Sequence, residues 1–445
     1  MALLLPSQAT IGQMPTTTEL ARRIDSAATD LVAKKATAGL AIGVSRGGKT
    51  VYTKGFGQAD LEAGVAADAG TVFLIGSITK QFTAASILQL IERGKLKLDD
   101  HLTTYFPDWP APADQVTVRQ LLNHTSGIKS YTGLPGWRVY QRQALSHDSL
   151  LGFVRSVPFD FPPGTDFRYN NSGYYILGVL IEKLSGQTYP EYLAKHVFEP
   201  LGMTGSRYCD HRPLIPHRSH GYALRPDGFQ NADPLDMGNP FAAGALCSTV
   251  GDLLTWTRAL EAGKVIGQES YRVMTTPVPL PNGALQRYAF GLGIGTLDGH
   301  RSVSHNGGIN GFRSQMASYP DDSLIVTVLA NTETDLPDKL EKTISRWALG
   351  IPIIPPKNLA ITSSDIERLS GRYATTAAGV RVWGESGRLV MALPGRTGPL
   401  LAQGDDRFVL ESDPDFQLRF VGGGAHPEHV EVTAPGGQML LPRQQ

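Results

Sequence analysis

The chain has 445 residues, 41% hydrophobic and 18% charged, with 41 Lys+Arg balancing 41 Asp+Glu. That length exceeds one ordinary core, so a large domain with a smaller companion is expected, in a globular rather than a disordered chain. A formal net charge of zero gives no footprint for nucleic acid or an anionic membrane, and no apolar run is long enough to span a membrane.

Residues 1–16 read as a disordered N-terminus or the remnant of a signal segment. Ser7-Gln8-Ala9 has the small-x-small form of a cleavage site, yet the apolar stretch before it is short and no Lys or Arg precedes Arg22. The segment fits a truncated signal or simply a loose end, so an extracytoplasmic location (periplasmic or secreted) is the expectation, with a cytoplasmic one as the alternative. A helix over 17–35 then places Leu20, Ile24, Ala27 and Leu31 on one face. Strands at 39–45 and 50–56 follow, joined by Arg46-Gly47-Gly48-Lys49 as a hairpin turn.

Ser77-Ile78-Thr79-Lys80 comes next, at the mouth of a helix over 81–93 whose Phe82, Ala85, Ile87, Leu88, Leu90 and Ile91 leave no polar face. Ser77 and Lys80 share a side of the first turn, and a lysine in so apolar a helix must be paired or deprotonated. A neutral amine can take the proton of a neighbouring hydroxyl, which is the arrangement of a nucleophile and its base.

A mixed helical and loop region runs to about 240 and contains Phe167-Arg-Tyr169-Asn-Asn171, entering an apolar helix near Tyr174. Tyr169 can hold or pass a proton beside Lys80, and the Asn171 amide can orient both the amine and a substrate. Thr249-Val-Gly-Asp252 has the form of a capping box opening a helix over 253–260. Strands are expected at 288–294, 301–305, 313–319 and 324–329, with a closing helix at 339–349. In Ser304-His305-Asn306-Gly307-Gly308, paired glycines let a ligand backbone come close. The Gly308 N–H can join that of Ser77 as an oxyanion hole, with His305 a third polar group. Strands at both ends with helices between imply one sheet built from the two ends of the domain, plus an inserted helical lobe.

A Pro-rich linker at 351–358 precedes residues 359–445, where Ser364-Asp-Ile-Glu367 caps a short helix. Short alternating strands at 380–383, 389–393, 408–410 and 416–420 then mark a small β-barrel or sandwich. Competing motifs fit less well. Ser126-Gly-Ile-Lys129 lacks an apolar helix, and His124 before it reads as structural. Gly43-Val-Ser45-Arg-Gly47 leads into a strand instead of a helix, which makes Ser45 a hairpin residue. Gly291-Leu-Gly-Ile-Gly295 also leads into a strand. Cys209, His211, His217 and His220 match no zinc spacing, and two cysteines make no disulfide framework, so whether Cys209 and Cys247 pair stays open.

Taken in order, Ser77/Lys80, Tyr169/Asn171 and His305/Gly307 resemble the Ser-x-x-Lys, Tyr-x-Asn and Lys/His/Trp-x-Gly motifs of the penicillin-binding-protein and β-lactamase-like serine hydrolases. Val118 to Gly127, Glu199-Pro-Leu-Gly-Met203 and Asp252-Leu-Leu254 are similar too. The resemblance implies an α/β fold: a β-lactamase/transpeptidase-like domain over 17–350, with a central antiparallel sheet, flanking helices and a helical lobe. A small all-β, lipocalin-like barrel over 359–445 completes it. It further implies Ser77 as nucleophile, Lys80 and Tyr169 as base, and Asn171, His305, Gly307 and Gly308 around substrate and oxyanion. No cofactor or metal is called for. The implied substrate is a small amide or ester, with D-amino-acid peptides first, short-chain esters second, and a non-turnover penicillin or muropeptide sensor third. His305-Asn-Gly307 departs from the Lys-Thr-Gly of typical β-lactamases and resembles the D-peptidases. Nothing in the sequence fixes the number of subunits.

Overall fold

The computed structural model describes residues 14–283, 286–375, 379–393, 396–434 and 437–444. Most of the segment read as a signal remnant or loose end therefore lies outside the described residues. The chain divides after Pro352 into two compact units.

The first unit opens with α1 (Thr17–Ala33), capped by the Thr16 side chain, and the hairpin β1 (Gly39–Arg46) and β2 (Lys49–Asp60). Gly47 and Gly48 turn that hairpin at φ +58° and +74°, a conformation glycine adopts without strain. A short β3 (Val65–Ala66) follows, then α2 (Thr79–Glu92), α3 (Asn171–Ser185) and α4 (Val250–Glu261). The strands β4 (Gly293–Leu297), β5 (His300–Ile309), β6 (Phe312–Tyr319) and β7 (Leu324–Ala330) lead to α5 (Leu336–Leu349).

The seven strands form one sheet in the order β3-β2-β1-β7-β6-β5-β4, with every neighbouring pair antiparallel. Strand β1 is wholly buried except at its last residue, because helices cover both faces of the sheet. Leu40, Ile42 and Val44 pack with Leu20 and Ile24 of α1 and Leu340 and Ile344 of α5. The alternate residues face α4: a Cβ on Gly43 would stand 3.1 Å from that of Val250, and Ser45 Oγ accepts from Arg258 at 3.2 Å. Ser45 is thus a buried sheet residue one step from the hairpin turn.

Three boundaries differ from the sequence expectation for identifiable reasons. Residues 288–292 do not extend the sheet. Gly291, at φ +70°, packs so tightly on the first turn of α2 that an added Cβ would lie 2.7 Å from the Lys80 carbonyl oxygen. Thr249 caps α4, but the Asp252 carboxylate leaves the cap to accept from Gly205 N at 2.9 Å and Ser206 Oγ at 2.8 Å, tying the helix to the lobe. In the second unit the helix Ser363–Leu369 is capped by Thr362 in a full capping box with Asp365, two residues earlier than expected.

That second unit holds eight strands between Gly371 and Pro442, each paired antiparallel with the next. Tyr373 of the first strand bridges Arg443 beyond the last, so the sheet nearly closes into a barrel. Its strand Asp413–Val421 turns Phe416, Leu418 and Phe420 inward and leaves Gln417 and Arg419 exposed.

Candidate active site

Ser77 sits in a single turn of 3-10 helix, Gly76–Ile78, that feeds directly into α2. From Thr79 to Leu90 every residue of α2 is buried, Lys80 included: its exposure is 0%. Its Nζ lies 3.1 Å from Ser77 Oγ, 2.9 Å from Asn171 Oδ1 and 2.7 Å from the Ala243 carbonyl oxygen. No carboxylate is among these partners, and burial pushes the amine well below its ordinary range. A neutral amine has two hydrogens and one lone pair. Asn171 Oδ1 and the Ala243 carbonyl oxygen can only accept, so they take the hydrogens, and the lone pair is left for the Ser77 hydroxyl proton.

Asn170 caps α3 by accepting from Gly173 N at 2.9 Å, which fixes the loop entering the helix and puts Asn171 in its first turn. Thr132 Oγ1 receives the other end of the Asn171 amide at 3.1 Å. The Tyr169 hydroxyl faces that of Ser77. Its ring stands 4.8 Å from Lys80 Nζ. Burial of the hydroxyl raises the phenol, with the nearby Ser77 hydroxyl opposing. Since 39% of the residue remains exposed, Tyr169 is also part of the wall that a substrate meets.

On the other side, β5 brings in the glycines. A Cβ on Gly307 would fall 2.0 Å from the Ile75 carbonyl oxygen, so only glycine lets the strand lie against the Ser77 turn. The two-residue turn Asn310-Gly311 makes Ile309–Phe312 the hydrogen-bonded closing pair of its hairpin. Alternation then makes Gly308–Arg313 a non-hydrogen-bonded pair, which turns the Gly308 N–H away from β6 and toward the Ser77 turn. Consistent with this, a Cβ on Gly76 would meet Gly308 N at 2.8 Å.

His305 is buried, and both ring nitrogens are engaged: Nδ1 with the Asn306 carbonyl oxygen at 2.6 Å and Nε2 with Tyr288 Oη at 2.9 Å. A carbonyl only accepts, so Nδ1 carries the proton and Tyr288 donates to Nε2. Burial lowers this imidazole to about 3, which makes it a neutral spacer and not a cation.

Two site residues escaped the sequence reading. Tyr288 orients His305 and stands at 90° to Tyr169 with ring centres 5.9 Å apart. His124, read as structural, packs its ring 4.4 Å from that of Tyr169 and 4.6 Å from that of Tyr288. It adopts φ +64°, and from there grips the loop on both sides of Tyr169. Its carbonyl accepts from Arg168 N at 3.0 Å and its Nδ1 accepts from Asn170 N at 3.2 Å. The Nε2 proton this requires has no hydrogen-bond partner among the described residues. Burial holds the ring well below its ordinary range. A positive φ in a non-glycine residue was the signal, and it is invisible in sequence.

Of the competing motifs, Lys129 is ion-paired with Asp160 at 2.7 Å. Cys209 and Cys247 are free buried thiols.

A family model described as Beta-lactamase matches residues 24–350. A penicillin-binding protein of Bacillus subtilis (strain 168) is 29% identical over 402 residues, covering 83% of this chain and 87% of its own. A D-aminopeptidase of Gluconobacter oxydans (strain 621H) is 26% identical over 368 residues, covering 79% and 67%. Among solved structures, the octameric penicillin-binding protein homologue from Pyrococcus abyssi superposes with a TM-score of 0.67 at 26% identity, over 94% of this chain and 99% of that one. With a buried Lys80 against Ser77 and a family match spanning most of the first unit, the chain belongs to the beta-lactamase family of serine hydrolases.

Proposed function

We propose that this enzyme hydrolyses small amides or esters through an acyl-Ser77 intermediate, with amides of D-amino acids as the leading substrate class. The observation that carries the reading is the enclosed Lys80 amine, 3.1 Å from Ser77 Oγ and without a counter-charge. Lys80 takes the hydroxyl proton as Ser77 Oγ bonds to the substrate carbonyl carbon. The resulting oxyanion lies between the N–H groups of Ser77 and Gly308. When the carbon–leaving-group bond breaks, the proton passes to the departing nitrogen or oxygen by way of Tyr169. Water then attacks the ester, and the acyl group leaves as a carboxylic acid while Ser77 regains its proton. The D-amino-acid preference is supported by likeness to a D-aminopeptidase.

A second reading, hydrolysis of short-chain esters, is favoured by the chamber in front of Ser77. It encloses about 160 Å³ between Tyr131, Trp137 and Leu235 on one side and Ile309 on the other. None of its lining side chains among the described residues is charged. His305 is neutral where the Lys-Thr-Gly of typical β-lactamases carries a cation, so cephalosporin turnover is expected to be slow. The test is a panel of D-alanyl p-nitroanilide, p-nitrophenyl butyrate and a chromogenic cephalosporin, with mass spectrometry of the trapped protein. Anilide turnover above the other two supports the first reading, and ester turnover alone supports the second. An adduct on Ser77 that never clears would replace both with a sensor.

A further inference from the structure

The Ser77 chamber does not end at its own walls. Leu235, Ile309 and Asn310 also line a second cavity of about 350 Å³, which opens against Leu74. Leu74 is three residues from Ser77, and three residues span at most about 10 Å. The two cavities therefore adjoin, yet their chemistry differs. Where the first is uncharged, the second carries Arg218, His211, His220 and Asp233.

Arg218 is the cation left over. Its guanidinium donates to the Asp210 carbonyl oxygen at 3.0 Å, and no carboxylate of the described residues lies within ion-pairing distance of it. Asp233, the carboxylate of this lining, is committed to Arg142 at 2.7 Å. His211 is tied to the Leu235 carbonyl oxygen at 2.8 Å, and His220 turns toward Asp60 at 3.8 Å. A half-buried guanidinium without a counter-ion, at the wall of a cavity that continues the active site, is suited to a planar anion.

The reaction fixes which part of the substrate reaches it. The leaving group must collect a proton and so lies toward Tyr169, whose ring neighbours His305 at 6.2 Å. The acyl group then runs the other way along β5, past Gly308 to Ile309 and Asn310. Resting on the acyl-serine reading above, we propose that the cavity beside the Ser77 chamber is a subsite for a carboxylate on the far end of the acyl group, with Arg218 as its cation. The preferred acyl groups are those of dicarboxylic acids, or peptides with an acidic side chain about two residue lengths from the scissile carbonyl.

The test compares the p-nitrophenyl half-ester of suberic acid with its neutral methyl diester. The half-ester should be favoured about tenfold in kcat/KM, as expected for one charge-assisted contact. Arg218→Gln should bring that ratio close to one and leave the diester within about twofold of wild type, while Arg218→Lys keeps most of the preference. Unchanged diester turnover also shows that the variant is folded. A second arm does not depend on turnover: monomethyl suberate should bind the Ser77→Ala protein about tenfold tighter than dimethyl suberate, and Arg218→Gln should erase the difference. Equal handling of acid and diester by the wild-type protein overturns the subsite, as does a preference that survives Arg218→Gln. Loss of ester hydrolysis with selective binding intact would overturn the acyl-serine reading instead.

Discussion

Ser77-Ile-Thr-Lys80 and Ser126-Gly-Ile-Lys129 spell the same motif, and the fold gives them opposite surroundings. The first stands where a 3-10 turn enters a helix buried on every side, so its lysine meets only a hydroxyl, an amide oxygen and a carbonyl. The second runs through a loop in which Gly127 has φ +74° and an added Cβ there would lie 2.0 Å from the Phe161 carbonyl oxygen. Ser126 Oγ accepts from Ile128 N at 3.4 Å, and Lys129 reaches out to Asp160. The spacing is common to both. What separates them is a helix that aligns the two side chains and the absence of a carboxylate beside the amine.

The sharpest way to break this contrast is to alter the first motif. Ser77→Ala should abolish turnover, and Lys80→Ala should lower kcat/KM on the order of a thousandfold or more. Lys80→Arg should fare no better, since a guanidinium keeps its proton. Steady-state rates on any working substrate decide this, and a Lys80→Ala enzyme within tenfold of wild type would remove the amine from the chemistry.

The next effect sharpens it. His124 touches no substrate in this reading but holds the Tyr169 loop, so His124→Ala should lower kcat by tens of fold with KM little changed. His124→Asn should recover much of the loss, because asparagine tolerates positive φ and offers an acceptor to the Asn170 N–H. Equal loss in both variants, or a loss confined to melting temperature, would reduce His124 to a packing role.

The pH dependence gives a third reading. The folded protein holds Lys80 well below its ordinary 10.5, so kcat/KM should climb with pH along a limb whose midpoint lies far below that value. Between the lowered folded value and about 10.5, the unfolded chain binds the extra proton at this residue. Stability relative to Lys80→Met should therefore rise with pH across that window. Paired denaturant titrations at several pH values measure it, and a flat difference would mean the amine keeps its proton in the folded state. The smallest effects belong to the second motif: Ser126→Ala and Lys129→Met should leave rates within about twofold, with about 1 kcal/mol of stability at stake for the partly exposed ion pair.

What local pattern controls is legible in the sequence. The α2 helix, the β1–β2 hairpin and the strands β5 to β7 follow from periodicity and glycine turns, and the nearness of Ser77 to Lys80 from their spacing at the mouth of an apolar helix. What long-range packing controls is not. Residues 288–292 have strand composition yet bend around the first turn of α2, and this bend is what delivers Tyr288 to His305. Asp252 occupies the right position for a capping box, but a closer pair of donors at 205 and 206 takes its carboxylate. His305 was expected as a polar contact for substrate. Its neutrality comes from burial and from the hydrogen bonds on both sides of the ring, neither of which a linear pattern encodes.

The central pairing of the sheet, Leu40 with Ala330, also bears on how the chain is made. During synthesis the β1–β2 hairpin emerges early with one bare, apolar edge, and its partner strand arrives only after the whole lobe has been produced. Contacts between such distant segments are slow to close, and unpaired edges invite sticking between chains. Ribosome-stalled chains ending at Ser323 should thus be cut rapidly by protease within the hairpin and collect chaperones, while chains long enough to expose β7 outside the exit tunnel should resist. Equal resistance at both lengths would show that the lobe alone shields that edge.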